Sequence, residues 1–567
     1  SPGYKTISYP VASRDENLFG FFATQNIVLD VDHNNTMKSA KQIMNRWNPE
    51  RKELTYYLSD EFAKPENKLV NDLTVQTVNN VNDGLAKAGV NFRINLKQPA
   101  GKSPGDIRNS MIVLVEDPVA SSVIGYGPQT EDPVTGEIFS ARTIMFLGTI
   151  KKFVQYTYND IVAEKNRIKF AATAAKKSGA TLSKQVTPAT SAPAQALGEK
   201  SLSAARKNSM AKLVDFNKSQ FAKKLNNTSF NPATMTGANA SKVAAFEKSL
   251  SKKVSDQYSG TDLKSKLRYL NEVKNCAFNH ADGSLSGISD RLMAKFEGDL
   301  APWSELSDSE KQAVVDKILP DVWVNTLIHE LGHNLGLRHN FEASTDLENF
   351  YSTSELQALN VDHESPFSSV MDYGDDLKTL PVFGKYDIAA LRFGYNRELE
   401  VIDTVNKSSR LVKLESTIDA VPLVKGEQIK NYKYCTDQNA GGSITCNRFD
   451  LGTDVVTIVK NHIAEYEKNY NQRNFKNNRA DFSLGMPDLR YANRIRGTFI
   501  DLRLVTEIKE LFRNKFGIPE GHALWTTHEV LKPYQEASAL VAQFLSNVVA
   551  MPAVQCALAN KDTGKFV

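Results

Sequence analysis

Histidine is scarce in this chain, nine among 567 residues, so any clustering of it is informative. Cysteine is scarcer, at four, and the spacing of the four is unlike that of a thiolate zinc site. No run of 18 apolar residues occurs, so no segment reads as a membrane-spanning helix. There are no glycine-rich phosphate loops and no calcium-binding nonapeptide repeats. No nucleotide site is therefore expected, and a structural Ca2+ is left possible without a motif behind it. What remains is globular: 41% of residues are hydrophobic, enough for real cores, and the length allows three or four average domains.

Three of the nine histidines fall in the run HELGHNLGLRH, His329 to His339. Residues four apart share a helix face, so His329 and His333 can aim two imidazoles at one point. An apolar stripe of Val324, Leu327, Ile328, Leu331 and Leu335 predicts the helix, and Asp321 after Pro320 is its expected N-cap. Gly336 tolerates the positive φ that turns the chain and returns His339 as a third ligand. Three protein ligands leave a fourth position open, which marks one catalytic Zn2+. Glu330 projects beside that position without ligating, where it can serve as general base and then acid. The remaining histidines are scattered and read as surface or capping residues.

Downstream, Ser368-Ser369-Val370-Met371-Asp372-Tyr373 follows the third histidine by about 30 residues. The pattern H-E-x-x-H-x-x-G-x-x-H with this Met-containing turn resembles the metzincin clan of zinc endopeptidases. More narrowly, it is similar to large bacterial exported metzincin-like proteases in which Asn-Phe, here Asn340 and Phe341, follows the third histidine. Asn340 departs from the subfamilies that carry Asp there. Runs beginning at Asp132 (DPVTGEIFSA), Tyr386 (YDIAA) and Cys446 (CNRFDLGT) extend the similarity from about residue 50 to 480, excluding one insertion. The resemblance implies that Met371 lies beneath the metal and that Tyr373 approaches it as an oxyanion stabiliser; a buried structural phenol is the other reading of Tyr373.

The resemblance also implies an α+β fold: a mixed twisted sheet, an active-site helix and a Met-turn. Strands are expected at Glu53–Ser59, Asn91–Lys97, Ser110–Glu116 and Ile138–Phe146, with a helix near Lys68–Ala88. Ile138–Phe146 is the candidate edge strand that would bind a peptide by strand addition, an ordinary sheet strand being the other reading. The domains expected are an N-terminal segment over 1–50, half of a catalytic domain over 51–150, an insertion over 151–300, the motif and Met-turn over 301–395, and a mainly helical part with a cysteine hairpin over 396–567. In that last part, helices are expected near Val455–Tyr470, Gly497–Phe516 and Thr526–Val549.

Charge is segregated. Residues 171–260 hold 14 Lys+Arg and 4 Asp+Glu, about +10, while the whole chain carries +4. This stretch reads either as a solvated insertion or as an arm for an anionic surface; it has too few aromatics for base stacking, and no specific nucleic acid is expected. Cys435 and Cys446 flank a Gly-Gly-Ser turn that suits a hairpin disulfide, and Cys276 with Cys556 is a possible long-range pair. Both pairings favour an exported chain whose signal peptide is already absent, over four reduced thiols in a cytosolic enzyme. The expected activity is zinc-dependent hydrolysis of peptide bonds in protein substrates through an activated water. The alternative is a surface-binding, adhesin-like protein with a vestigial zinc site, against which an intact Glu330 argues.

Overall fold

A computed structural model describes residues 3–10, 13–30, 36–98, 101–118, 123–178, 277–279, 290–374, 379–406, 408–440, 443–474, 487–550, 558–560 and 565–566. Residues 179–260 of the basic stretch 171–260, Cys276, Cys556 and the turn glycines Gly441 and Gly442 lie outside the described residues. The chain divides into two compact units, the first holding 1–187, 240–453 and 468–495.

The first unit opens with strands β1 (Ser8–Pro10), β2 (Ala23–Asp30) and β3 (Thr36–Met44), which form an antiparallel sheet in the order β1-β3-β2. Then come β4 (Glu53–Leu58), helix α1 (Lys68–Lys87), β5 (Arg93–Lys97), β6 (Ser110–Val115), β7 (Val123–Tyr126), β8 (Gln129–Glu131), β9 (Ile138–Phe146), helix α2 (Leu147–Ser178) and β10 (Ala277–Asn279). They make a mixed seven-stranded sheet in the order β10-β7-β9-β6-β4-β5, with β8 also on β9. β5, β4, β6 and β9 run parallel; β7 is antiparallel to β9, and β10, antiparallel to β7, runs in the direction of β9 again. The strand periodicities of Glu53–Leu58 and Ser110–Val115 explain the pattern, since each places alternate or successive apolar residues under the helices.

One expectation is corrected here. β9 is not an edge strand: it pairs in parallel with β6 on one side and antiparallel with β7 and β8 on the other. Ile138, Ser140, Ala141, Thr143 and Met145 are buried along it, as a strand paired on both sides requires.

Helix α3 (Asp308–Asn334) packs across this sheet against α1, α2, β7 and β9. It starts 13 residues before the expected cap. Ser307 and Glu310 form a reciprocal capping box, a stronger start than Asp321, and Pro320 lies inside the helix, where it removes only one main-chain donor. Trp323 donates to Thr74 of α1 at 3.1 Å. At the other end, Asn334 is clamped to the sheet: its Nδ2 donates to the Arg142 carbonyl at 2.9 Å, and its Oδ1 accepts from Thr143 at 2.9 Å. Helix α4 (Lys385–Asn396) follows, and a small antiparallel sheet of β11 (Glu398–Asp403), β12 (Ser409–Lys413) and β13 (Glu427–Ile429) leads to the cysteine hairpin.

The second unit includes helix α5 (Val455–Asn474) as far as Glu467, the part of α6 (Pro487–Phe516) from Arg496, and α7 (Leu531–Ala550). Its described core includes Tyr466, Phe499 and Phe544, with ring centroids 5.0 to 6.2 Å apart. Among the described residues no helix is long and apolar enough to cross a membrane.

Candidate metal centre

His329, Glu330 and His333 occupy the buried C-terminal end of α3. The helix ends at Gly336, which has φ +95°, and a β-carbon there would meet the Asn45 carbonyl oxygen at 2.5 Å. Only glycine meets both constraints. The turn brings His339 back, so the three imidazoles offer ligand atoms all within 4.8 Å of one another, and all three residues are buried.

The proton positions follow from the partners. His329 Nδ1 lies 2.8 Å from the Val370 carbonyl and His333 Nδ1 2.8 Å from the Leu337 carbonyl. His339 Nδ1 lies 2.8 Å from Asp437 Oδ2. These oxygens only accept, so each Nδ1 carries a proton and each Nε2 is the atom left to face a metal. Burial pushes the His329 pKa well below its ordinary value and that of His333 down to about 3, with the neighbouring histidines adding to the effect. His333 Nε2 and His339 Nε2 face each other 3.2 Å apart in a buried space. Three buried imidazoles whose Nδ1 atoms are held by oxygens and whose ligand atoms converge within 4.8 Å form a donor set that fits a metal ion.

The Met-turn supports the histidines from below. Asp387 of α4 accepts from Ser369 Oγ at 2.5 Å, from Val370 N at 2.8 Å and from Gly384 N at 2.8 Å. That fixes the Val370 carbonyl, which orients His329. Met371 is buried under Gly332, and its carbonyl accepts from Asn340 N at 3.0 Å. Tyr373 Oη lies 2.9 Å from His339 Nε2, the ring atom that would face a metal.

Residues 311–484 match the family model described as Met-zincin. No curated protein matches the chain, and no solved structure does. The Met-zincin match takes in the helix motif, the Met-turn and the cysteine hairpin. Together with the converging histidines it bears out the resemblance to metzincins, the metzincin-like α+β fold and a metalloprotease-like metal site.

Two features of this site were not expected from the sequence. β7 lies against Glu330: a β-carbon on Gly125 would come within 2.6 Å of Glu330 Oε1, and one on Gly127 within 2.8 Å of Oε2. The carboxylate fits because both positions lack side chains. The second is Asp437, inside the Cys435–Cys446 disulfide loop. Burial raises its pKa, but His339, Arg448 and Arg338 overcome that and hold the carboxyl well below the usual range. The only sequence signal was the CNRFDLGT run, which contains its partner Arg448.

Proposed function

We propose that this chain is an exported zinc endopeptidase that hydrolyses peptide bonds within protein substrates. The observation that carries the reading is Glu330, fully buried and flanked by two ligand histidines, with Gly125 and Gly127 keeping space around its carboxylate. An imidazole triad suits zinc. When bound, zinc supplies a Lewis acid that polarises the scissile carbonyl and acidifies water. Glu330 takes the proton of the attacking water and returns it to the leaving amine. Tyr373, whose hydroxyl already reaches the ligand cluster, donates to the oxygen on which negative charge develops. The disulfide supports an oxidising compartment. The basic stretch 171–260 is a candidate arm for anionic lipid or polymer, to be tested by its deletion in vesicle binding at rising salt.

The deciding experiment is Glu330→Gln. The variant should bind one zinc per chain like the parent and lose about 10²- to 10⁴-fold in casein hydrolysis. Parent-rate cleavage overturns the mechanism. A parent that binds zinc and cleaves no protein or peptide favours the surface-binding reading.

A further inference from the structure

The three ligand histidines are not oriented in the same way. His329 and His333 rest on main-chain carbonyls of the Met-turn and of the motif itself. His339 rests on a side chain 98 residues away in sequence, Asp437. Its orientation therefore depends on whatever holds Asp437.

That support is the disulfide hairpin. Asp437 lies two residues after Cys435, and Arg448 two residues after Cys446, so the Cys435–Cys446 bond, with Cα atoms 6.0 Å apart, joins the bases from which both side chains reach. Asp437 Oδ2 meets His339, and Oδ1 is bonded to the Arg448 guanidinium. Arg448 also lies over the Phe341 ring at 4.8 Å, and Phe341 stacks on the His339 ring at 4.9 Å. The hairpin is stitched to the chain directly after the ligand: Phe341 N donates to the Cys435 carbonyl at 2.9 Å, and Cys435 N donates to Asn340 Oδ1 at 3.3 Å.

We propose that Asp437 is a positioning residue for His339, and that the Cys435–Cys446 disulfide, by holding Asp437 and Arg448 together, governs how tightly the site keeps its metal. A carboxylate on Nδ1 fixes the ring and makes Nε2 a stronger donor to a metal than a carbonyl does. Opening the hairpin loosens one ligand in three while the helix pair keeps its own supports. The proposal rests on the reading of the histidine triad as a zinc site.

The test is zinc affinity and zinc release, measured on the full chain by competition with a chromogenic chelator. It compares the parent, Asp437→Asn, which conserves shape, and the double variant Cys435→Ser/Cys446→Ser. Each variant should hold zinc about 10- to 100-fold more weakly. Nitrogen NMR of the zinc-free imidazoles gives a second readout. In Asp437→Ala the His339 ring should lose its single Nδ1–H tautomer, while His329 and His333 keep theirs, a pattern that general destabilisation would not produce. Parent-like affinity in folded Asp437→Asn overturns the proposal and leaves the zinc site standing. A parent that binds no zinc overturns both. If the double variant fails to fold, Asp437→Asn and the tautomer of His339 still decide the role of Asp437, and a parent-like result in both overturns it.

Discussion

The sulfur of Met371 occupies the place a β-carbon on Gly332 would need. The residue before the second ligand is therefore fixed by what lies beneath the helix. Gly332→Ala should cost about 1 to 3 kcal/mol by overpacking. The double change Gly332→Ala/Met371→Ala should recover part of the lost melting temperature. Thermal melts of the metal-free proteins check this; an unchanged melt for the single variant would show that Met371 repacks freely.

Gly127 tests the seat of the proposed base. A β-carbon there would come within 2.6 Å of the Glu330 carbonyl oxygen, which has no freedom to retreat within a helix. Gly127→Ala should keep its zinc and lose about 10² in peptide hydrolysis, as misplacement near 1 Å does elsewhere. Zinc content and turnover measured together separate this from loss of the metal.

Tyr373→Phe removes the hydroxyl 2.9 Å from His339 Nε2 while leaving the ring in its aromatic cluster. The expected loss in turnover is roughly 10- to 10³-fold with little change in stability. Unchanged turnover would assign Tyr373 a structural part only.

Metal-free protein should lose stability in acid through His333. An unfolded histidine titrates near pH 6.5, and the folded pKa is lowered to about 3, so the unfolded chain binds more protons between those values. The stabilisation is complete above about pH 6.5 and is lost as pH falls toward 3, by at most about 1.4 kcal/mol per pH unit. Denaturant midpoints of parent and His333→Leu, both stripped of metal, should keep a constant difference above pH 7 and shift against the parent below 6.5. A difference flat down to pH 4 would contradict a neutral buried His333.

The site was legible in the sequence where it is local. His329, Glu330 and His333 share a helix face, Gly336 makes the turn, and Cys435 with Cys446 closes one hairpin; each needs only the spacing of nearby residues. Asp437 was not legible, because its meeting with His339 is made through space across 98 residues. The helix start was misplaced because Pro320 after an apolar stretch imitates an N-terminus, whereas the Ser307–Glu310 capping box sits further upstream. Ile138–Phe146 was given an edge because its neighbours β7 and β8 span only four and three residues, too short to show a strand period. The helices Lys68–Lys87, Val455–Asn474 and Leu531–Ala550 lie close to their expected bounds, having enough turns for an apolar face to repeat.

Helix α3 runs 27 residues and delivers His329 and His333 at its C-terminal end. Peptide dipoles along such a helix add to about half a negative charge at that terminus. The metal position therefore sits in a field that favours a dication before any ligand bond is counted, and burial keeps salt from screening that field. A helix of the opposite polarity presenting the same imidazoles would reverse the field and hold a dication less tightly.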